Sequence, residues 1–147
     1  MGKVRTALTA GLLCLLLAGC GGAEAPFDPA GTAQALLDAP GVFSEELTEL
    51  DGAMIYDLED SGAVETVCWY STGATAEEVT VLRFDSEDAA EAFVDRAQEH
   101  IAQQKEANEN YRPQEMPKLD KAVVEQRGET LLVLVAADYE AAQTVLK

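Results

Sequence analysis

The run Leu131-Leu132-Val133-Leu134-Val135 constrains the fold of this chain more than any other segment. Five successive apolar residues are typical of a strand that is covered on both faces. The turn-forming residues Arg127-Gly128-Glu129 precede the run, so we predict a strand from Thr130 to Ala136. The chain is therefore expected to fold around a sheet in which this strand is central.

The other segments predict helices and strands in a mixed order. Strand-like composition marks three more segments, residues 63–70, 79–84 and 121–126, and the first two suit an antiparallel pair. Helical spacing predicts one helix from Asp28-Pro29 to Pro40-Gly41, one capped by Ser86 that frays near Asn108, and one over residues 139–146. We therefore predict an α+β fold: an antiparallel sheet of about four strands with helices packed against it, preceded by a signal peptide. Within residues 42–60, residues 43–50 could form a strand or a loop, and residues 52–58 suggest a short helical turn.

The amino terminus has the layout of a bacterial lipoprotein signal. Lys3 and Arg5 precede an uncharged apolar segment, and the run Leu17-Ala18-Gly19-Cys20 ends it. The Cys20 thiol can take a diacylglycerol by thioether linkage, and two acyl chains anchor a protein stably. The uncharged segment is shorter than the about 20 residues that span a membrane. We predict a signal peptide over residues 1–19, the lipidated cysteine and a tether over 20–30, and one domain over 31–147. A plain cleaved signal and an uncleaved anchor are the alternatives.

The mature chain is expected to be strongly acidic. Without residues 1–19 it has 128 residues, with 8 Lys and Arg against 27 Asp and Glu, a formal charge of −19. Nucleic acid repels such a surface, because its binding needs clustered cations. Anionic lipid headgroups repel it too, so the lipid must hold the protein at the membrane. Solubility is the simplest reason for the acidity. A surface for cations or a cationic partner, and adaptation to high salt, are the alternatives.

No set of catalytic residues is recognisable in the sequence. His100 is the single histidine, and we expect it at the surface or the boundary of the long helix. Cys68 lies within a predicted strand and is expected to be a buried, inert thiol. With Cys20 lipidated, Cys68 has no cysteine to pair with. Acidic pairs such as Glu77-Glu78 are frequent, but frequency does not place two carboxyls across a cleft, as glycosidase chemistry needs.

Neither a metal nor a cofactor is predicted. One histidine and one spare cysteine do not make a zinc site. Residues 57–62 loosely resemble the start of an EF-hand loop, but Cys68 stands at the twelfth position, where that loop needs a bidentate Glu. We therefore expect a turn before a strand.

Aromatic residues mark two segments that could serve recognition. Trp69 and Tyr70 are neighbours on a strand, so their side chains face opposite ways, and we expect one in the core and one exposed or at an edge. Tyr111 and Arg112 precede Pro113 in a predicted loop. The candidate surface for a partner or ligand comprises Trp69, Tyr70, Ser71, Thr72, Tyr111 and Arg112.

Two segments resemble a bacterial lipoprotein family, domain of unknown function 4358. They are Tyr-Ser-Thr-Gly-Ala-Thr-Ala-Glu-Glu-Val over residues 70–79 and Asn-Tyr-Arg-Pro-Gln-Glu-Met-Pro-Lys-Leu over 110–119. Gln103, Gln104 and Lys105 and the strand pair around Gly128 extend the resemblance to about residues 31–147. It implies a small, secreted, lipid-anchored protein of anaerobic Firmicutes, associated with membrane O-acyltransferases and cell-surface polysaccharide. It implies no catalytic residue.

These observations together favour a non-catalytic binding or accessory module. We expect the N-terminal lipid to hold it to the extracytoplasmic face of the cell membrane, with an envelope protein as partner. An accessory enzyme of cell-envelope polysaccharide modification that uses carboxylates is one alternative. A surface that senses divalent cations is another.

Overall fold

A five-stranded antiparallel sheet with helices on both faces forms the domain, in a computed structural model that describes residues 24–147. The strands lie in the order β1-β2-β3-β5-β4, and each neighbouring pair is antiparallel. The strands are β1 Thr48–Leu50, β2 Ala63–Tyr70, β3 Glu78–Phe84, β4 Val123–Arg127 and β5 Thr130–Val135. The helices are α1 Pro29–Asp38, α2 Glu87–Glu109, α3 Met116–Leu119 and α4 Tyr139–Leu146, with 3-10 turns at Gly52–Met54 and Pro113–Glu115. The predicted α+β fold is confirmed.

The central position predicted for β5 is confirmed by its burial and its neighbours. It lies between β3 and β4, and all six of its residues are buried. Leu131, Val133 and Val135 pack in the core layer that contains residues of α2. Leu132 and Leu134 pack in the opposite layer, with residues of α1 and α4. Because both faces of β5 are covered, its sequence does not alternate between apolar and polar residues.

The long helix α2 is held at its start by a cap and along its length by an apolar stripe. The hydroxyl of Ser86 accepts a hydrogen bond from the Ala89 amide at 3.2 Å, as expected for an N-cap. Phe93, Ala97 and Ile101 are buried on the side facing the sheet. Their spacing of four residues places them on one face, as predicted.

Two regions differ from the prediction. Residues 48–50 form β1, a fifth strand at the sheet edge, whose short and mostly exposed sequence has no alternation to detect. The region after α2, predicted as a loop, forms a 3-10 turn and α3. Pro113 and Pro117 lie in the first turns of these elements, where proline needs no amide donor.

The chain enters the sheet at the turn between β4 and β5, which we call the entry end. The Phe27 amide donates to Oγ1 of Thr130 at 2.8 Å, and Nε of Arg127 lies 3.1 Å from the Glu24 carboxylate. The segment 71–77 lies at the other end of β3, which we call the loop end. The seven residues of β3 separate the two ends by about 20 Å. The predicted signal peptide and Cys20 lie outside the described residues.

Among residues 24–147, no helix combines the length and the apolar character needed to span a membrane.

Candidate functional site

The two segments that carry the family resemblance meet at the loop end. Nη1 of Arg112 donates to the carbonyl oxygens of Gly73 at 2.8 Å and Thr75 at 3.2 Å, and its Nε donates to Oδ1 of Asn108 at 2.8 Å. The Glu115 carboxylate accepts from the Ala76 amide at 3.0 Å. These bonds join residues 71–77 and 110–119, which are far apart in sequence, into one surface.

Ser71 supports this surface from inside. It is buried, its hydroxyl donates to the Glu45 carboxylate, and it accepts from the Thr75 amide at 3.0 Å. Oγ1 of Thr75 also donates to Glu45, at 2.9 Å. The hydrogen bond from Ser71 lowers the pKa of Glu45, and the bond from Thr75 lowers it further, against the opposing effect of burial. Ser71 is thus an internal contact and not the exposed surface group that the sequence predicted.

The exposed groups at the loop end are few and well defined. The Tyr111 side chain is 89% exposed, which is high for so large a hydrophobic residue. Thr72, which belongs to the other segment of the loop end, is also exposed, and Arg112 is half-buried. Arg112 therefore positions the surface, while Tyr111 and Thr72 are available for contact.

Trp69 and Tyr70 face opposite layers of the sheet, as predicted. Trp69 packs with the layer of α1, and the Tyr70 ring lies 6.4 Å from the His100 ring on the layer of α2. Both are partly buried, so the expected division into one core and one exposed residue is not found. Since they lie on different faces, they cannot contact one small ligand together.

A buried polar network around Glu78 lies between the sheet and α2. Glu78 is fully buried and accepts from the hydroxyls of Tyr56 at 2.5 Å and Thr80 at 2.9 Å. Nε2 of His100 lies 2.7 Å from its other oxygen. His100 is 8% exposed, so it lies inside the protein and not at the surface or boundary. Sequence reasoning missed this network.

Burial keeps the Tyr56 phenol and the Cys68 thiol protonated. It raises the pKa of Tyr56 well above the ordinary value, and the Glu78 charge raises it further, so the phenol remains a donor. Burial also raises the pKa of the Cys68 thiol to about 11. Cys68 is 1% exposed, and the predicted inert thiol is confirmed. A cavity of about 330 Å³ lined by Tyr56, Phe93, Arg96 and His100 opens beside the network.

Glu77 has a separate set of partners on the opposite face. It accepts from the amide and hydroxyl of Ser44 at 2.9 and 2.5 Å, and from Nζ of Lys118 at 2.9 Å. Lys118 also lies 3.0 Å from Glu115. Burial alone lowers the pKa of Lys118, but hydrogen bonds to the two carboxylates and their charges outweigh it, so the pKa is raised. Glu77 and Glu78 therefore cannot flank one substrate.

Within the part of the chain that the structure describes, no three His, Cys, Asp or Glu residues are grouped to hold a metal ion. Residues 57–62 form a turn, in which the Asp57 carboxylate accepts from the Glu59 amide at 3.2 Å. Asp60 and Gly62 have φ of 53° and 78°, which a tight turn before β2 requires.

The sequence contains a weak indication that Glu78 is buried. Glu78 and Thr80 alternate with Val79 and Val81, so they share a face with Leu82. This pattern also suits an exposed polar face, and only the position of α2 shows that the face is covered. For His100, the neighbouring Glu99 and the partly polar helix gave no indication of a buried partner.

Comparison with known proteins identifies the family. Searches of the curated proteins and of the solved structures give no match. A family model described as "Domain of unknown function (DUF4358)" matches residues 44–136, which include both segments of the loop end and the whole sheet. The chain belongs to this family of domains of unknown function.

Proposed function

We propose that this protein is a lipid-anchored, extracytoplasmic module that binds an envelope protein through its loop end. The lipid would be attached at Cys20, four residues before the first described residue, so the anchor lies within about 14 Å of Glu24. Glu24 contacts Arg127 at the entry end. An anchor there leaves the loop end directed away from the membrane, where a partner can reach it.

The observation that carries the proposal is the exposure of Tyr111. A side chain that is 89% exposed gains much apolar contact on binding, and tyrosine is frequent at protein interfaces. Arg112 holds the adjacent backbone to Gly73 and Thr75, so little order has to be gained when a partner binds.

The buried carboxylates support a binding role more than the enzymatic alternative. Glu77 and Glu78 point into opposite layers, and each is satisfied by its own set of donors. Among residues 24–147, every buried side-chain nitrogen and oxygen has a hydrogen-bond partner. Groups satisfied in this way act as structural contacts, and the surface remains for recognition.

Site-specific photo-crosslinking in native membranes tests the proposal. A photoreactive phenylalanine analogue replaces Tyr111 in the full-length protein, and crosslinked proteins are identified by mass spectrometry. The control places the analogue at Val64, which is 64% exposed in the part of β2 near the entry end.

We expect one envelope protein to be captured from position 111 and not from position 64. Equal capture from both positions, or none from position 111, would show that the loop end is not the binding surface.

A further inference from the structure

A groove lies between α1 and the edge of the sheet. It has a volume of about 230 Å³, and its apolar lining comprises Leu37, Ala39, Phe43, Leu47 and Trp69. Glu45 and Glu46 form part of its rim. The register pairs Glu49 of β1 with Trp69, so the exposed Glu49 side chain projects from the same face as the indole.

The strand beside the groove is an open edge. β1 pairs with β2 on one side only, among the strands of residues 24–147. Alternate backbone amides and carbonyls of an edge strand point away from the sheet and can pair with an added strand. A polypeptide in extended form would place every second side chain on the groove face.

The part of the chain that forms the groove and the β1 edge carries charge of one sign only. The sequence has no Lys or Arg between Arg5 and Arg83, whereas residues 24–82 contain 13 Asp and Glu. The groove, β1 and β2 all belong to this part of the chain. Glu46 and Glu49 are exposed there. A ligand of complementary charge is therefore cationic.

We propose that the β1 edge and the Trp69 groove bind an extended, Lys- or Arg-rich segment of a partner protein. The segment adds as a strand to β1, places an apolar side chain against Trp69 and Phe43, and directs its cationic groups to Glu46 and Glu49. Main-chain hydrogen bonds supply affinity in this mode, and the groove supplies specificity.

The same features exclude four other occupants. A second copy of this chain brings the same acidic edge, and its formal charge of −17 opposes close approach. A lipid surface with anionic headgroups is repelled for the same reason. A cationic sugar or a polyamine can match the charge of the site. Both lack the backbone amides and carbonyls with which an open strand edge pairs.

The single tryptophan of the chain makes the test direct. Trp69 is the only Trp, so its emission reports the groove without a label. The full-length lipidated protein in neutral detergent micelles is titrated with a capped, Trp-free peptide in which Thr alternates with Lys or Phe, so that the Lys and Phe side chains share one face. The comparison peptides are one with alternate backbone amides N-methylated and one with Glu in place of Lys. A chitosan oligosaccharide and spermine are titrated in parallel.

We expect the Lys peptide to shift Trp69 emission, and the N-methylated and Glu peptides to leave it unchanged. The E46Q/E49Q variant should bind the Lys peptide about three- to tenfold more weakly, the loss of two surface ion pairs. The control E91Q/D95N changes two exposed acidic residues of α2 and should bind as the wild type does.

Equal binding of the N-methylated peptide, the oligosaccharide or spermine would overturn the added-strand mode. An unchanged emission with every probe, or equal weakening by both variants, would overturn the site. The crosslinking reports contact at Tyr111 and the titration reports the environment of Trp69, so either proposal can fail while the other holds.

Discussion

At the scale of single residues, the least expected feature is a carboxyl group buried among three donors. A buried carboxylate costs several kcal/mol unless hydrogen bonds and a cation compensate. Glu78 has Tyr56, Thr80 and His100 as partners. Thr80 lies on the same strand, whereas Tyr56 and His100 are each 22 residues distant in sequence. The network therefore fixes how α2 and the segment before β2 sit on the sheet.

Removing one donor from this network should cost more stability than the same change at the surface. Tyr56→Phe deletes the hydroxyl that donates to Glu78, and we expect the free energy of unfolding to fall by about 1–2 kcal/mol. Tyr111→Phe makes the same change on an 89% exposed ring and should cost less than about 0.5 kcal/mol. Urea unfolding followed by circular dichroism measures both.

A double-mutant cycle shows whether the cost comes from the pair. Glu78→Leu leaves the donors of the network unpaired and should cost about 3–5 kcal/mol. The double variant with Tyr56→Phe should then lose less than the sum of the two single variants. Additive losses, or equal effects of the two Tyr→Phe changes, would contradict a coupled network.

Individual residues were predictable where their own sequence neighbourhood decides their environment. Cys68 lies in a Val- and Trp-rich strand, and its burial followed from that. Glu78 and His100 lie in acidic, polar stretches, and their burial depends on the packing of α2 against β3, which no local pattern encodes. Of the residues predicted to form a binding surface, Tyr111 and Thr72 are exposed, whereas Ser71 and Arg112 hold the loop end together.

At the scale of elements, the strongest patterns gave the most accurate predictions. A recognisable pattern needs several residues, and three elements are long enough to show one: β5 with its apolar run, α2 with its apolar stripe and the Val- and Thr-rich β2. β1 has three residues and depends on β2 for its hydrogen bonds, so nothing within it decides between a strand and a loop. The short helices at Pro113 and Pro117 are stabilised by contacts of Glu115 and Lys118 with the loop end, which is tertiary information.

The N-cap of α2 is expected to contribute measurably to the stability of this element. Ser86→Ala removes the hydroxyl that accepts from the Ala89 amide, and we expect a loss of about 1 kcal/mol. Gln98→Ala, at an exposed position inside the same helix, should change stability by less than about 0.5 kcal/mol. Thermal and urea unfolding of the three proteins provide the comparison. A loss for Ser86→Ala no larger than that for Gln98→Ala would show that the cap is dispensable.

At the scale of the whole molecule, charge and anchoring act against each other. Cleavage before Cys20 would leave a chain with a formal charge of −19, which anionic headgroups repel, yet the proposed function needs the protein to stay at the membrane. A diacyl modification would provide the free energy for stable attachment. Because residues 24–27 dock at the entry end, the attachment would also orient the domain.

The lipid attachment can be tested with the two cysteines of the N-terminal segment. Cells that express the full-length protein are labelled with a fatty acid, and the protein is recovered from washed membranes. Wild type and Cys14→Ala should both carry the label, because Cys14 lies inside the segment that is removed, whereas Cys20→Ala should carry none. A plain cleaved signal gives no label in any of the three proteins, and an uncleaved anchor keeps all three in the membrane with residues 1–19 attached.

Label that persists in Cys20→Ala would place the modification elsewhere. In that case the loop end would lose the orientation on which the proposed function depends, because that orientation requires the anchor to lie close to the entry end.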